Sequence, residues 1–428
     1  MGEHTQDNKM AWFRQARYGI FIHWGLYAQL GGFWKGERVS AFDGAEWIMR
    51  DGQIPVEEYR QIAKEFNPVD FDAEEIVDRV VQYGGKYLCF TAKHHDGFAM
   101  YDSKVSDYNI MHTPFGRDVV KELAEACQKR GIVFCLYYSQ MQDWEDPDGD
   151  GNTWDYDKEK KDFQAYFYRK ARPQVEELLT NYGKIGMIWF DTPYDMPRDL
   201  SDELAQLVHD LQPECLISGR IGYGLGDFRE MNDNNIPHNA FMEDWESPMT
   251  LNNTWGYSRV DHHWKSASQV VRMLVNVVGK GGNLLLNIGP DGRGQIPQES
   301  HEILLQVGKF LEKNGESIYG AIPMADMPYE NQWGGCTGKP GRFYMHVLDY
   351  PDEPYEIRIY NLKTKVKRVT LLETGEELKF VQLYEIARDE YRFRAFFPEK
   401  PVNALDTVAV VETEGPLEYH DLRTIYAK

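Results

Sequence analysis

The sequence predicts an α/β fold: a TIM-like (β/α) barrel followed by an antiparallel β-sandwich domain. Two observations carry the barrel. From about residue 11 to 320, short apolar runs without polar alternation alternate with longer amphipathic ones, and such runs suit strands covered on both faces, as in a parallel sheet. The strand-then-helix unit also repeats too often for a small open sheet, and no G-x-G-x-x-G follows the first strand, which weakens a doubly wound dinucleotide fold. One observation carries the sandwich. Beyond Ala321 the runs shorten, alternate apolar with polar, and are separated by Gly, Pro, Asp and Asn. Residues 1–320 are therefore expected to form the catalytic barrel and 321–428 the second domain.

In chain order, barrel strands are expected at 18–23, 87–92, 132–139, 185–191, 215–219, 240–246 and 283–288. Helices are expected at 118–130, 162–181, 200–211, 266–278 and 300–314, with Asp or Ser near their starts and Gly after several ends. Pro173 should kink the second of these. Short strands at 342–348, 355–360, 366–372, 378–382, 392–397 and 407–411 indicate a sandwich of six to eight strands.

Composition narrows the function. A net charge of −21 should repel nucleic acid and anionic membranes. No apolar run is long enough to span a bilayer. The opening residues 1–9 lack the apolar core of a signal peptide, so a cytoplasmic location is expected for the chain as written. The five cysteines are odd in number and form no C-x-x-C, so buried free thiols are expected. An aromatic share of 14% fits either sugar-stacking surfaces or a large core, and composition does not separate the two.

Chemistry in such a barrel stands at the C-terminal ends of the strands. The expected ends carry His23, then His94 and His95, then Tyr137, then Trp189 and Asp191, then Arg220, then Glu246. A single His or Asp at a strand end is usually a rim or turn residue. Successive ends carrying His, Asp, Arg and Glu, flanked by aromatics, are what a structural barrel does not need. Asp191 and Glu246 are two carboxylates across one cleft, the minimum for glycoside cleavage. Arg220 beside Asp191 would keep it ionised, and Trp245 and Pro248 would raise Glu246, splitting the pair into base and acid. A zinc site from His23, His94, His95 and Asp191 is the competing arrangement. Adjacent residues of a strand point to opposite faces and no H-x-H is present, so no metal and no other cofactor is expected. The loop 146–151 resembles the start of an EF-hand, but position twelve is Asp157 instead of Glu, and a polar turn is expected. The Gly-rich run 279–290 precedes a strand and has Gly281 where a phosphate loop needs Ser or Thr.

Taken with their neighbours, these motifs resemble glycoside hydrolase family 29, the α-L-fucosidases. The resemblance runs from Ala11 to about Gly320: Trp12-Phe13, Tyr18 to Gly25, Glu46-Trp47, Lys93 to Phe98, Tyr137 to Ser139, Trp189-Phe190-Asp191, Trp245-Glu246, Thr254 to Tyr257, and Gly281 to Pro290. It implies a retaining mechanism with Asp191 as nucleophile. It also implies sugar contacts from His23, Glu46, Trp47, His94, His95, Tyr137, Trp189 and Arg220, with Trp255 near the fucose methyl group. The acid/base varies in position within the family. Glu246 is the expected residue, with Glu243 and then Glu46 as rivals. Thr192-Pro193 departs from the Gly that many members carry after the nucleophile. The implied substrate is a fucosylated oligosaccharide or glycoconjugate. A related sugar, transfer instead of hydrolysis, and a non-catalytic sugar binder are the alternatives, and a homo-oligomer is left open because no interface is readable.

Overall fold

The computed structural model describes residues 9–39, 44–241, 243–324 and 332–419. Residues 1–8, most of the stretch without a signal-peptide core, lie outside them. Eight parallel strands make the first sheet: β1 Tyr18–Ile22, β2 Tyr87–Lys93, β3 Val133–Tyr138, β4 Met187–Phe190, β5 Leu216–Ile217, β6 Arg229–Glu230, β7 Trp245–Thr250 and β8 Asn283–Ile288. Their order is β5-β4-β3-β2-β1-β8-β7-β6. First and last strands are neighbours, so the sheet curls round on itself. The described β5 and β6 share no ladder; instead the Asp227 N–H donates to Ile217 O, and the Ile217 N–H to the Asp227 carboxylate, both at 2.8 Å.

Strand alternation sorts the side chains into two cores. Phe21, Cys89, Cys135, Tyr137, Met187, Trp189 and Leu285 fill the barrel. Ile20, Ile22, Leu88, Leu136, Ile188, Leu284 and Leu286 face outward into the helix layer. Burial on both faces is why these strands read as continuous apolar runs. The helix α1 Ala11–Ala16 closes the floor, with Phe13 against Phe228 at a ring separation of 4.6 Å.

The outer layer includes α2 Ala73–Gln82, α3 Val119–Arg130, α4 Arg172–Asn181, α5 Arg198–Leu211, α6 Ala267–Gly279 and α7 Gln298–Asn314. Asp72 and Asp118 cap α2 and α3, and Ser266 with Gln269 forms a capping box on α6. The irregularity expected at Pro173 is a π-helical turn, Phe167–Ala171, just before it. Two expectations need correction. The sixth strand is β6, only two residues long and reached from β5 without an intervening α-helix, so it carried no apolar run. The strand placed at 240–246 is instead β7, which begins at Trp245, so Glu246 is its second residue and not its C-terminal end.

The chain continues through β9 Gly334–Lys339, β10 Arg342–Val347, β11 Glu356–Tyr360, β12 Val366–Leu371, β13 Phe380–Glu385, β14 Glu390–Phe396 and β15 Thr407–Thr413. These form two antiparallel sheets, β9-β10-β15-β12 and β11-β14-β13. Phe343, Met345, Ile359, Val369, Phe393 and Val411 pack between them. Tyr344, Val408 and Val410 on the other face join the barrel's outer core. All five cysteines are buried and free. Among the described residues, no helix is long and apolar enough to cross a membrane.

Gly19 of β1 is required by close approach: a Cβ there would lie 2.3 Å from the ring of Tyr87. Gly19→Ala should push Tyr87 aside and destabilise the fold by about 1–3 kcal/mol, measurable as a lowered denaturation midpoint with unchanged m-value.

Candidate active site

Asp191 follows β4 and is nearly buried. Its Oδ2 accepts a hydrogen bond from Tyr137 Oη at 2.8 Å and faces His95 Nε2 at 3.5 Å. Its Oδ1 accepts from Arg220 Nη1 at 2.8 Å and from the Thr192 N–H at 2.9 Å. Burial by itself raises the carboxyl, but the Arg220 charge, His95 and these hydrogen bonds outweigh it and hold Asp191 below the ordinary carboxylate range. Behind it the Asp191 N–H donates to Gln140 Oε1, and Gln140 Nε2 donates to Arg220 O. Thr192, where φ is +42°, and Tyr194, where φ is +35°, take the left-handed conformation that Gly adopts without strain. Gln142 Nε2 donates to Thr192 Oγ1 at 2.8 Å and helps to hold that turn.

The histidines come from the ends of β1 and β2. Thr91 Oγ1 accepts from Trp24 N and donates to Trp24 O, tying the turn after β1 to β2 and placing His23 over the barrel. The β2–β3 register slips between Thr91 and Lys93, and β2 ends there. The rule of opposite faces therefore does not govern His94 and His95, which lie side by side with ring centroids 4.2 Å apart. Lys93 turns the other way, into a buried pair with Asp143 at 2.9 Å that anchors the turn. Burial lowers the pKa of His23 to about 3 and of His95 to about 4, and takes His94 well below its ordinary value, so all three are neutral imidazoles.

Neutral rings present one donor and one acceptor each. Asn287 Nδ2 donates to Trp255 O, so its Oδ1 is free to accept from His23 Nδ1 at 2.7 Å, leaving His23 Nε2 as an acceptor toward the mouth. His94 Nδ1 is buried with no hydrogen-bond partner among the described residues. His94 stacks on Tyr137 at 5.4 Å, and Tyr137 in turn on Trp189 at 5.6 Å.

Glu46 is buried and accepts from the Gly256 N–H at 2.9 Å; burial raises it to about 7. That contact locks the 254–257 segment over the barrel, where Gly289 lets the backbone of Gly256 and Tyr257 approach. Trp255 lies 5.1 Å from His23, ring to ring. Trp47 packs on His95 at 4.9 Å, with Arg50 over its other side at 3.9 Å. His23, Glu46, Trp47, His94, His95, Tyr137, Asp191, Arg220 and Trp255 thus line one mouth, linked through these contacts. Trp189 sits beneath them, under the Arg220 guanidinium at 4.8 Å.

Glu246 is not part of that mouth. It is fully buried inside the barrel, accepting from Tyr87 Oη at 2.5 Å and from Trp189 Nε1 at 3.0 Å. Its rival Glu243 is exposed and pairs with Arg229 at 3.2 Å. The carboxylate that shares Arg220 with Asp191 is one the sequence did not single out. Asp233, just beyond β6, pairs with Arg220 Nη2 while Arg220 Nη1 holds Asp191. The two terminal nitrogens of one guanidinium thus hold both carboxylates, with the Asp233 side chain 47% exposed. Asn234 fixes the turn: its N–H donates to Pro248 O, and its Oδ1 accepts from Thr250 N at 2.8 Å and Thr250 Oγ1 at 2.9 Å. The loop 146–151 is a polar turn in which Arg169 pairs with both Asp146 and Asp148.

Comparison with known proteins shows the family and the fold. The α-L-fucosidase family model matches residues 2–316. The human tissue α-L-fucosidase is 30% identical over 398 residues, covering 86% of this chain and 82% of that protein. An α-L-fucosidase from Vibrio sp. strain EJY3 superposes with a TM-score of 0.91 at 32% identity, covering 96% of this chain and 74% of that one. A family 29 α-L-fucosidase from Bacteroides thetaiotaomicron, solved as a trapped covalent intermediate with 2-fluoro-fucosyl fluoride, superposes with a TM-score of 0.85 at 28% identity, covering 96% of this chain and 97% of that one. With the family model spanning the whole barrel and the superposition extending through the sandwich, the chain belongs to the α-L-fucosidases of glycoside hydrolase family 29.

Proposed function

We propose that this chain is a retaining exo-α-L-fucosidase that removes terminal α-L-fucose from oligosaccharides or glycoconjugates by double displacement. The observation that carries the proposal is Asp191, an ionised carboxylate oriented by Tyr137 and Arg220 at a mouth of neutral hydrogen-bonding rings. A nucleophile needs that charge state and aim. The trapped covalent intermediate of the Bacteroides relative supports the same route.

In the first step an Asp191 oxygen bonds to C1, the C1–aglycone bond breaks, and Asp233 gives its proton to the departing oxygen. In the second, Asp233 takes a proton from water, the water oxygen bonds to C1, and the Asp191–C1 ester bond breaks. Asp233 is preferred to Glu246 as acid/base because that group must reach both the leaving oxygen and incoming water. Asp233 is half exposed beside Arg220, whereas Glu246 is sealed below Trp189. When Asp191 becomes an ester its charge disappears, and Arg220 is left to pair with Asp233 alone. His23, His94, His95 and Glu46 hydrogen-bond the sugar hydroxyls in this scheme, and Trp255 packs on the apolar edge.

Asp191→Ala should cut kcat on an aryl α-L-fucoside by about 10⁴-fold or more, with azide restoring turnover to β-fucosyl azide. Asp233→Ala should lose about 10²–10⁴-fold on poor leaving groups and little on good ones, with azide giving the α-azide; if Glu246→Ala behaves so instead, the acid/base assignment fails. The ring resonances of His23 and His95 should stay those of neutral imidazole from about pH 8 to about pH 5, above folded values of about 3 and about 4. Unfolded histidine titrates near ~6.5, so the unfolded chain binds more protons below that pH and these rings subtract stability as pH falls toward the folded values. NMR titration and melting at successive pH values check both.

A further inference from the structure

Beneath the mouth lies a pair of carboxyls that the two-step mechanism does not use. Glu230 of β6 and Glu246 of β7 are register partners on adjacent parallel strands. Strand twist and alternation aim both into the barrel. Glu246 has two donors, Tyr87 Oη and Trp189 Nε1. Both Glu230 oxygens are shielded from solvent and meet no N–H or hydroxyl donor among the described residues. Two carboxylates side by side in an apolar interior cannot both ionise. Burial raises both carboxyls, so the interior favours a proton held by the pair; Glu246, with two donors, is the better placed of the two for a charge, and Glu230, with none, for the proton.

The pair sits under the reactive groups. Trp189, bonded to Glu246, has Tyr137 stacked on one side and Arg220 over its ring, and those two residues hold Asp191. The other titratable or charged groups facing the pair are Tyr87 and Cys89 on β2, Cys135 on β3, Arg220 after β5 and Asp233 after β6. Glu230 also borders a cleft of about 480 Å³ at the β5–β6 seam, shared with Arg220 and Glu243.

We propose that Glu230 and Glu246 form a proton-sharing pair that positions Trp189, and through it Tyr137 and Arg220, under the sugar. The proposal rests on Asp191 being the nucleophile. Neither glutamate touches substrate; both are positioning residues. While Glu230 is protonated the indole is held. When rising pH removes that proton, two negative charges face each other, the pair separates, and Trp189 loses its anchor.

Three variants test this. Glu246→Leu should weaken binding of a fucose-configured iminosugar and raise KM by about 10-fold, the worth of a hydrogen bond to a charged group, equally for good and poor leaving groups and without azide rescue. Glu246→Gln, which keeps an acceptor for the indole, should recover most of that binding, and serves if the leucine variant does not fold. Glu230→Gln, a permanent donor, should move the alkaline limb of kcat/KM upward by about one pH unit. In infrared spectra the wild type should show the C=O stretch of a buried carboxylic acid that Glu230→Gln lacks. The proposal is overturned if Glu246→Leu binds the iminosugar within about twofold of wild type, if azide rescues that variant, if the alkaline limb of Glu230→Gln is unmoved, or if the infrared band is absent. Should the wild type cleave no fucoside, the proposed function fails on its own, and the infrared band still decides whether the pair exists.

Discussion

The Arg220 guanidinium is the contact on which the mouth depends. It is nearly buried, which penalises its charge, and the neighbouring Asp191 and Asp233 more than restore it. One planar fork holds Asp191 on one nitrogen and Asp233 on the other while its face covers Trp189. Arg220 stands at the seam between β5 and β6, where the barrel is closed by Asp227 instead of a ladder. The irregular turn there is what lets a side chain from outside the strands lean across the mouth, at the place where regular pairing lapses.

Around that charged centre the histidines at the mouth are uncharged. Burial keeps His23, His94 and His95 neutral, so they can both donate to and accept from hydroxyl groups, as a polyol requires. Full charges are placed one layer back. Lys93, Asp143 and Lys170 form a buried cluster beneath the histidine turn, with Lys170 also paired to Glu145. In such a cluster the loss of any one member would leave a buried charge uncompensated, so the turn bearing His94 and His95 is held by an arrangement that tolerates little change. Under the proposed function, fixed geometry with neutral groups would let the developing charge at C1 meet Asp191 without competing cations at the hydroxyls.

Much of this was legible in the chain itself. The apolar runs marked β1, β2, β3, β4 and β8 because each is covered on both faces. Caps marked α3 and α6 because Asp118 and Ser266 satisfy N–H groups that have no other partner. Asp191 stood out only as one of a set, because successive strand ends carry His, Asp, Arg and Glu flanked by aromatics, which a structural barrel does not need. Asp233 was missed because the two-residue β6 leaves no apolar signature before it. Glu246 was misplaced for a related reason. The Trp245-Glu246-Ser247-Pro248 run ends at the glutamate if proline is taken as a stop, but Pro248 lies within β7, which continues to Thr250. The intervening Met242 lies outside the described residues.

Local sequence determined what depends on near neighbours: the alternation of strand and helix, the caps, the shift to an antiparallel sandwich, and the residue types at most strand ends. Tertiary structure alone decided which carboxylates share a cleft. That depends on strand register, on a two-residue strand, and on one arginine reaching across a seam, and each joins residues whose proximity no periodicity encodes. Asp191 and Asp233 meet through Arg220, whereas Glu246, two strands along from β5, is turned under Trp189 by the alternation of β7. A side chain's height in the barrel depends on where its strand begins and ends, so Glu246, the second residue of a β7 that runs on to Thr250 and the register partner of the first residue of β8, lies in the interior and not at the mouth.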